Sequence, residues 1–576
     1  MRRKASTLPA EAEIEADVAI VGAGPMGIVI ALELARAGRR VTLIESGDDR
    51  FNASAQGLSD SEGQGEDYFH VAKDLAVRRQ VGGTSVLWGG RCVPFDPVDF
   101  EPRPAVPDQL WPVSYEEFSA YLQRACDWCV CGAATFNAHQ LPGLAERELV
   151  PGLSDGDVRT SDLERWSLPT RFGRTYGPAL DASPSLDLIT GLTCTDIVCT
   201  PDGTSVQRLE LRTVDGASAT VRARRYVLAT GGLEATRLLL ASNAVHREGI
   251  GNHSGHLGRW YMAHVEARIA RIHLSTPPEQ TIFDHERDQD GVYVRRRFTF
   301  AREFQHRESM SNAATWIVNP ELGDASHGSG ILSGVYLTLI SPIGRFLLAE
   351  AIRQVGTKTS RPTTIRAHLL NVIRDIMPAT RFAVSFTYRR FLRRGRKAPG
   401  FFVASPTNVY QLHYHGEHLP HHESRVELGE ECDALGVPRL RTKMYFSDRD
   451  VQSVRRAMEH IDKHLRAHGV GHLEYLYDDV ESAVYTHLGA NAGYHQTGTT
   501  RMSASPDDGV VTPDLAIHGM EDLFVASTSV FPTSSQANPT LTGVAFAVRL
   551  ADTLNAQLDH PRRGAASAPL RGAHAR

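Results

Sequence analysis

Apolar positions along the chain switch between a period of two and a period near 3.6, and the switches mark its elements. In ADVAIVGAGPMGIVIALELARAGRRVTLIESG, residues 16–47, Val18, Ile20 and Val21 make a short apolar strand. Ile28, Leu32 and Ala35 then recur at helical spacing until Gly38, and a second strand runs from Val41 to Ile44 and closes on Glu45. Such a βαβ unit connects right-handedly into a parallel sheet. From about residue 186 to 232 the pattern becomes short alternating strands broken by Pro-Asp-Gly at 201–203 and Val-Asp-Gly at 214–216. This predicts a small β-meander that rejoins the sheet through Tyr226, Val227 and Leu228, after which Ala-Thr-Gly-Gly at 229–232 opens a helix. Asp522 to Ala526 reads as a last sheet strand. Residues 266–490 mix strands and helices without a nucleotide fingerprint. One helix there is plain: Ser447 and Asp450 form an S-x-x-D start, Val451, Val454, Met458, Ile461 and Leu465 form an apolar stripe, and Gly469 follows.

Composition narrows the class. The 576 residues are 41% hydrophobic and 22% charged with net charge -5, which fits a soluble globular chain with a sizeable core and excludes a disordered or nucleic-acid-coating one. The beginning, MRRKASTLPAEAEIEADVAIVG, has no apolar stretch before its first strand, so a cytoplasmic location is expected. Residues 328–344 carry no formal charge, but their glycines, serines and Pro342 do not fit a spanning helix. The run YRRFLRRGRK at 388–397 is strongly basic beside apolar residues; a solvated basic face is expected, with an interfacial helix or an anion-docking patch as the alternative.

Seven cysteines in so long a chain do not make a disulfide framework. Cys126, Cys129 and Cys131 form a C-x-x-C-x-C cluster, yet no second pair stands nearby in sequence, so no metal is expected. In HYHGEHLPHH, alternation puts His413 and His415 on one strand face; with no carboxylate or histidine partner at a recognisable spacing, these and His418, His421 and His422 read as satisfied or solvated.

Gly22-Ala23-Gly24-Pro25-Met26-Gly27 is a G-x-G-x-x-G between the first strand and its helix. The first glycine makes the turn, the second lets backbone approach a pyrophosphate, and the third permits close strand–helix packing. Helix N–H groups and dipole add to the anion site, and Glu45 stands where it can accept from ribose hydroxyls. The glycines alone do not separate NAD from FAD. The fingerprint lies at the amino terminus and has no second copy for a nicotinamide domain, so one held dinucleotide must carry the electrons, which favours FAD.

The run RRQVGGTSVLWGGRCVPFDPVDFE at 78–101 resembles the glucose–methanol–choline oxidoreductases, and the resemblance continues in family order through 258–264, 424–440 and 493–550. It implies that Gly82, Gly83, Thr84 and Ser85 lie along the flavin, that Cys194 offers backbone to adenine, and that Ala229 belongs to the cofactor wall. It also implies that His495 of the H-x-x-G-T segment and Asn538 converge beside the flavin, with Asn538, Pro539 and Thr540 opening a helix toward the pyrimidine carbonyl. Leu87 stands where some relatives carry the histidine that attaches flavin, so FAD is expected to be non-covalent. Glu417-His418 replaces a frequent Glu-Gln near the substrate chamber.

The implied reaction passes a hydride from a CH–OH group to FAD while His495, an imidazole with a resting pKa near neutrality, takes the hydroxyl proton and Asn538 orients the oxygen. Trp88 and Arg91 are similar to bacterial, pyranose-oxidase-like members, which points to a sugar, polyol or sugar-derived natural product. The alternatives are sterol or aliphatic alcohol oxidation, a cyanohydrin lyase with structural FAD, and a dehydrogenase that passes electrons to a quinone or redox protein instead of oxygen. The expected fold is α/β with an α+β second domain: a Rossmann-like FAD-binding domain from 16–120, 186–265 and 490–560, and a discontinuous substrate-binding domain of β-sheet and helices from 121–185 and 266–489. Residues 1–15 and 561–576 read as disordered tails.

Overall fold

A computed structural model describes residues 1–9, 11–62, 70, 76–106, 111–342, 344, 363–405, 407–491 and 493–559. Val18 to Val21, apolar throughout, are buried and carry the centre of an eight-stranded sheet. Its order is Arg2–Lys4, Leu186–Thr190, Val41–Glu45, Ala12–Val21, Ser218–Leu228, Val206–Arg212 and Thr193–Cys199, with Leu523–Val525 paired beside the end of Ser218–Leu228. The strands up to Ser218–Leu228, together with Leu523–Val525, run parallel, and the meander returns antiparallel. Register aligns Val21 with Ile44 and Leu228, and Leu228 with Val525. Four neighbouring strands therefore release the chain at one edge of the sheet, the place where open α/β sheets bind ligands.

The amino terminus departs from the expected tail. Arg2–Lys4 adds an edge strand parallel to Leu186–Thr190, with Arg2 donating to Asp181 and Arg3 to Asp187, because an open parallel edge and flanking carboxylates give the basic segment partners. Residues 561–576 lie outside the described residues.

A second, antiparallel sheet centres on Val409–Glu417, which pairs with His264–Ala267 and Ala270–Leu274 on one side and Ala313–Val318 on the other. The helix Asp448–Ala467 starts at a Ser447/Asp450 capping box and buries its stripe from Val451 to Leu465 beside this sheet. The uncharged stretch contains the helix Gly330–Ile340, and among the described residues no helix is long and apolar enough to cross a membrane.

Between the two sheets, Arg91–Cys92 pairs with Leu163–Trp166, which pairs with Tyr293–Arg296. Glu164 on the middle strand is fully buried and accepts from Arg91 and from Arg295 Nε at 2.6 Å. Burial alone would raise its pKa, but the charges of Arg295, Arg91 and Arg297 outweigh burial and hold it at about 2. Removing one member of a buried charge group strands the others, so Glu164→Ala is expected to cost about 3–5 kcal/mol. Denaturant unfolding of the purified variant checks this, and an unchanged midpoint would contradict it.

Candidate active site

The released edge of the parallel sheet opens into a cavity of about 770 Å³, within the range of roughly 300–1,000 Å³ common for small-molecule sites. Every residue assigned to cofactor or catalysis from the sequence lines it except Gly27 and Gly82. Those two stand behind the wall: a Cβ on Gly27 would meet the Gly22 oxygen at 2.0 Å, and Gly82, at φ 98°, would meet the Gly173 nitrogen at 2.6 Å. Gly22, at φ 102°, packs so closely that a Cβ would lie 2.5 Å from the Ala229 carbonyl oxygen. Gly24 differs, since a Cβ there would approach only the Ala229 oxygen at 3.9 Å, leaving its backbone open to the cavity. It caps the helix Pro25–Arg36 without a side-chain acceptor, so the first-turn amides remain for an anion. A Cβ on Gly83 would lie 2.8 Å from Gly24 Cα, so the 82–85 segment can lie directly on the turn. Glu45 accepts from the Ala23 and Gly47 amides at 2.9 Å each and keeps further lone pairs. A glycine cradle, open helix amides and a carboxylate acceptor fit a dinucleotide.

At another wall the Asn538 side-chain amide donates to His495 Nε2 at 2.9 Å, and His495 Nδ1 meets His264 Nδ1 at 3.0 Å. His495 Nε2 therefore presents a lone pair, its Nδ1–H points to His264, and the His264 proton sits on Nε2. That Nε2 and Asn538 Oδ1 are buried without a hydrogen-bond partner among the described residues. Burial first, then the Arg91 charge, pull the His495 pKa down to about 3. The expectation of a histidine resting near neutrality is thereby corrected: a desolvated ring beside a guanidinium does not hold a second proton.

The sequence reading missed the groups around this pair. Register puts Glu266 opposite His415 and His264 opposite Glu417, so the partners thought missing from the histidine run arrive across the strands. Glu266 lines the cavity, with His415 Nε2 at 3.6 Å and His413 Nε2 at 3.7 Å from its oxygens. Arg268 Nε donates to His413 Nδ1 at 3.0 Å, which leaves the His413 proton on Nε2. His415 Nδ1–H donates to the Gln536 carbonyl at 2.8 Å, which leaves a lone pair on Nε2. Glu266 thus stands between a donor and an acceptor, an arrangement that suits a neutral carboxyl group. Burial raises it to about 7 against the pull of Arg268 and Arg91. Alternating strand residues are the signal that could have found this set, had the strand pairing been known.

Three further groups surround this set. His264, His415 and His495 bring nitrogens within 4.8 Å of one another, but each already has a hydrogen-bond partner within the protein. The C-x-x-C-x-C cluster gains Cys92, which interacts with Cys129 and Cys131; all four thiols are buried and free. Glu417 pairs with Arg103, and His418 takes the Ala263 amide on Nδ1 and the Tyr445 carbonyl on Nε2, so both serve packing outside the cavity wall.

The sequence matches the family described as FAD dependent oxidoreductase over residues 17–58 and that described as GMC oxidoreductase over residues 420–547. It is 36% identical over 134 residues to a C-glycoside 3-oxidase from Microbacterium trichothecenolyticum, covering 22% of this chain and 24% of that protein. The chain thus spans about a quarter of that relative's length in the match. Across 94% of this chain and 95% of its own it is 22% identical to a 2-methyl-1,2-propanediol dehydrogenase from Mycolicibacterium austroafricanum. The fold is shared with formate oxidase from Aspergillus oryzae (TM-score 0.53, 15% identity, 95% and 99% coverage of this chain and that one). It is shared also with pyridoxine 4-oxidase from Mesorbium loti (TM-score 0.52, 18% identity, 93% and 99%). The glycine cradle thus lies in the stretch that is similar to the FAD dependent oxidoreductases, within a fold shared with pyridoxine 4-oxidase. Its carboxyl-terminal part, residues 420–547, is similar to the GMC oxidoreductases.

Burial of the imidazoles has a cost in acid. His264, His413, His415 and His495 stay neutral in the fold, whereas the unfolded chain protonates them below pH ~6.5. Stability therefore falls as pH drops through ~6.5, by up to about 1.4 kcal/mol per pH unit for each histidine. Glu266, protonated in the fold up to about 7, opposes one of the four. Urea unfolding on either side of pH ~6.5 is expected to show a shallower loss in His413→Phe, which keeps the ring stacked on Trp316 but does not titrate. An equal slope in both proteins would count against burial of a neutral His413.

Proposed function

We propose that the chain oxidises a CH–OH group of a sugar-like or polyol small molecule to a carbonyl, with His495 as general base and Asn538 as the orienting group. The observation that carries this is the 2.9 Å pairing of the Asn538 amide with the proton-free Nε2 of His495 in the cavity wall. FAD, held non-covalently along the glycine wall, supplies the hydride acceptor. An alcohol can displace the Asn538 N–H, place its O–H on Nε2 and leave its oxygen within reach of the same amide. Holding hydroxyl and C–H in one orientation is a proximity contribution. As the proton arrives, His495 becomes cationic beside Arg91, which disfavours it; an ionised Glu266 across His415 offsets that charge.

In this reading Gly22, Gly24, Pro25, Met26 and the 82–85 segment meet the pyrophosphate and flavin, Glu45 the ribose, Cys194 the adenine side, and Ala229, Pro539 and Thr540 complete the wall. Residues 16–120, 186–265 and 490–560 form the cofactor domain, and 121–185 and 266–489 the substrate domain. The polyol substrate is supported by two relatives named for a glycoside oxidase and a diol dehydrogenase, and by the buried Arg91 Nη2 and Asn538 Oδ1, which lack partners among the described residues. Free cysteines fit a cytoplasmic enzyme. Electrons leave to oxygen, a quinone or a redox protein, which mixing of the reduced enzyme with each acceptor distinguishes.

Anaerobic mixing of the FAD-loaded protein with a panel of sugars, polyols, sterols and cyanohydrins tests this reading. A sugar or polyol is expected to bleach the oxidised flavin band, and His495→Ala to slow that bleaching by about 10²–10⁴-fold. Cyanohydrin cleavage without bleaching would replace oxidation by lyase chemistry, and an unchanged rate in His495→Ala would remove His495 as the base.

The pH dependence follows from the same groups. His495 loses its proton at about 3, so it is neutral throughout the physiological range and contributes no limb near 6.5. Glu266, facing Arg268, Arg91, His413, His415 and Tyr494, ionises near 7, so flavin reduction is expected to quicken as pH rises through about 7. Loss of that limb in Glu266→Gln is the expected result; a limb that persists in the variant belongs to another group.

A further inference from the structure

We infer that residues 363–397 form a docking face for the surface of an anionic phospholipid bilayer. Among the described residues 19 large apolar side chains are exposed, and ten of them lie between Ile365 and Leu392. The helix Ile376–Thr387 has no buried residue, although its sequence, IMPATRFAVSFT, is largely apolar. Packing of one face normally stabilises so short a helix, and contiguous exposed apolar surface of this kind marks an interaction site. The helices Ile365–Arg374 and Ile376–Thr387 rest on the uncharged helix Gly330–Ile340, which supports them from below and leaves their outer sides bare. Phe382 and Phe386 pack on Phe401, and the free surface is left to Met377, Val384, Phe391 and Leu392.

Charge selects the occupant. Residues 363–397 carry nine basic side chains and one acidic, Asp375, in a chain of net charge -5, so the remainder stands at -13. Arg366, Arg381 and Arg394 are exposed among the apolar side chains. A second copy of this face would oppose like charges, and the acidic remainder of the protein would be repelled from an anionic surface everywhere else. Interfacial lipid takes up the apolar side chains of a helix lying at its surface while guanidinium groups reach the phosphates. With no membrane-crossing helix among the described residues, the contact is peripheral.

The face adjoins the cavity. The Lys397 amide donates to the Leu168 carbonyl, and Arg390 is close enough to lower the pKa of Arg171 after burial has done so. Between them, the Thr170 carbonyl accepts from Trp88 Nε1 at 2.9 Å, and Trp88 is part of the cavity wall. Docking would set that wall beside the lipid surface.

Co-sedimentation of the full-length holoprotein with phosphatidylcholine vesicles, with and without phosphatidylglycerol, tests the inference. The protein is expected to favour the anionic vesicles by at least about tenfold, and to be released as salt screens the charge. The triple variant Met377→Ser, Val384→Ser, Leu392→Ser is expected to lose binding with flavin spectrum and unfolding midpoint unchanged, and Arg393→Gln with Arg394→Gln to lose the anionic preference. Equal partition onto neutral and anionic vesicles, or none, would overturn it. So would sedimentation velocity showing a dimer that the triple variant dissociates.

Discussion

The cavity depends on a backbone contact that only glycine permits. Gly22 leaves its strand with a left-handed φ and passes the Ala229 carbonyl at a distance that has no room for a side chain. The contact joins the ends of Ala12–Val21 and Ser218–Leu228, which are neighbours in the sheet but some two hundred residues apart in the chain. With those ends fixed, Ala526 follows, because its amide donates to Leu228 O at 2.8 Å. The helix Thr540–Asp559 packs on Pro25–Arg36 from the same side, so Asn538 is carried to the glycine turn by packing and by strand register together. The wall of the site is assembled from the sheet outward, and the His495–Asn538 pair joins it from late in the chain.

Desolvation then treats the ionisable groups in two ways. Imidazoles near the cavity can shed a proton, and they do: His264, His413 and His415 all fall well below their ordinary values as burial removes the charged form. Guanidinium groups hold their proton too tightly for that escape, so burial forces them to find carboxylates. Glu164 serves Arg91 and Arg295, and both guanidinium groups also lie over the Trp316 ring, at 4.4 and 4.6 Å from its centre. Trp316 stacks in turn on His413. The cation that lowers His495 is thus anchored by the element that supports the neighbouring histidines.

What could be read from the sequence was local or carried by family order. The βαβ unit with its glycines, the meander and the capped helix at 447 each depend on spacing within a few turns of chain, and each has the predicted form in the structure. Motif order pairs His495 with Asn538, and the structure brings the two side chains into contact, although nothing in their spacing shows that they touch. Glu266 and the histidine run were opaque because their meeting is a matter of antiparallel register between segments about 150 residues apart. Cys92 reaches the thiol cluster in the same way, through pairing of Arg91–Cys92 with Leu163–Trp166. The amino-terminal strand was misread for a different reason: three basic residues have no strand pattern of their own, and only an open sheet edge with facing aspartates makes them one.

In the proposed reaction a base with a pKa near 3 looks poorly matched to an alcohol, yet the low value fixes what that reaction would need first, a ring whose Nε2 is free of a proton at any physiological pH. The loss of driving force is set against the order of the surroundings. His264 Nδ1 accepts from the His495 Nδ1–H, which fixes the tautomer, and Asn538 fixes the ring from the other side. A pre-set acceptor would need no reorganisation when an O–H approached, and in the proposed reaction its cation would form only as the hydride left. In that interval the balance lies between Arg91, which opposes the new charge, and Glu266, which is held so near neutrality that a modest change in its surroundings decides whether it carries the compensating one. The proton inventory of the site is therefore shared between strands rather than owned by His495 alone.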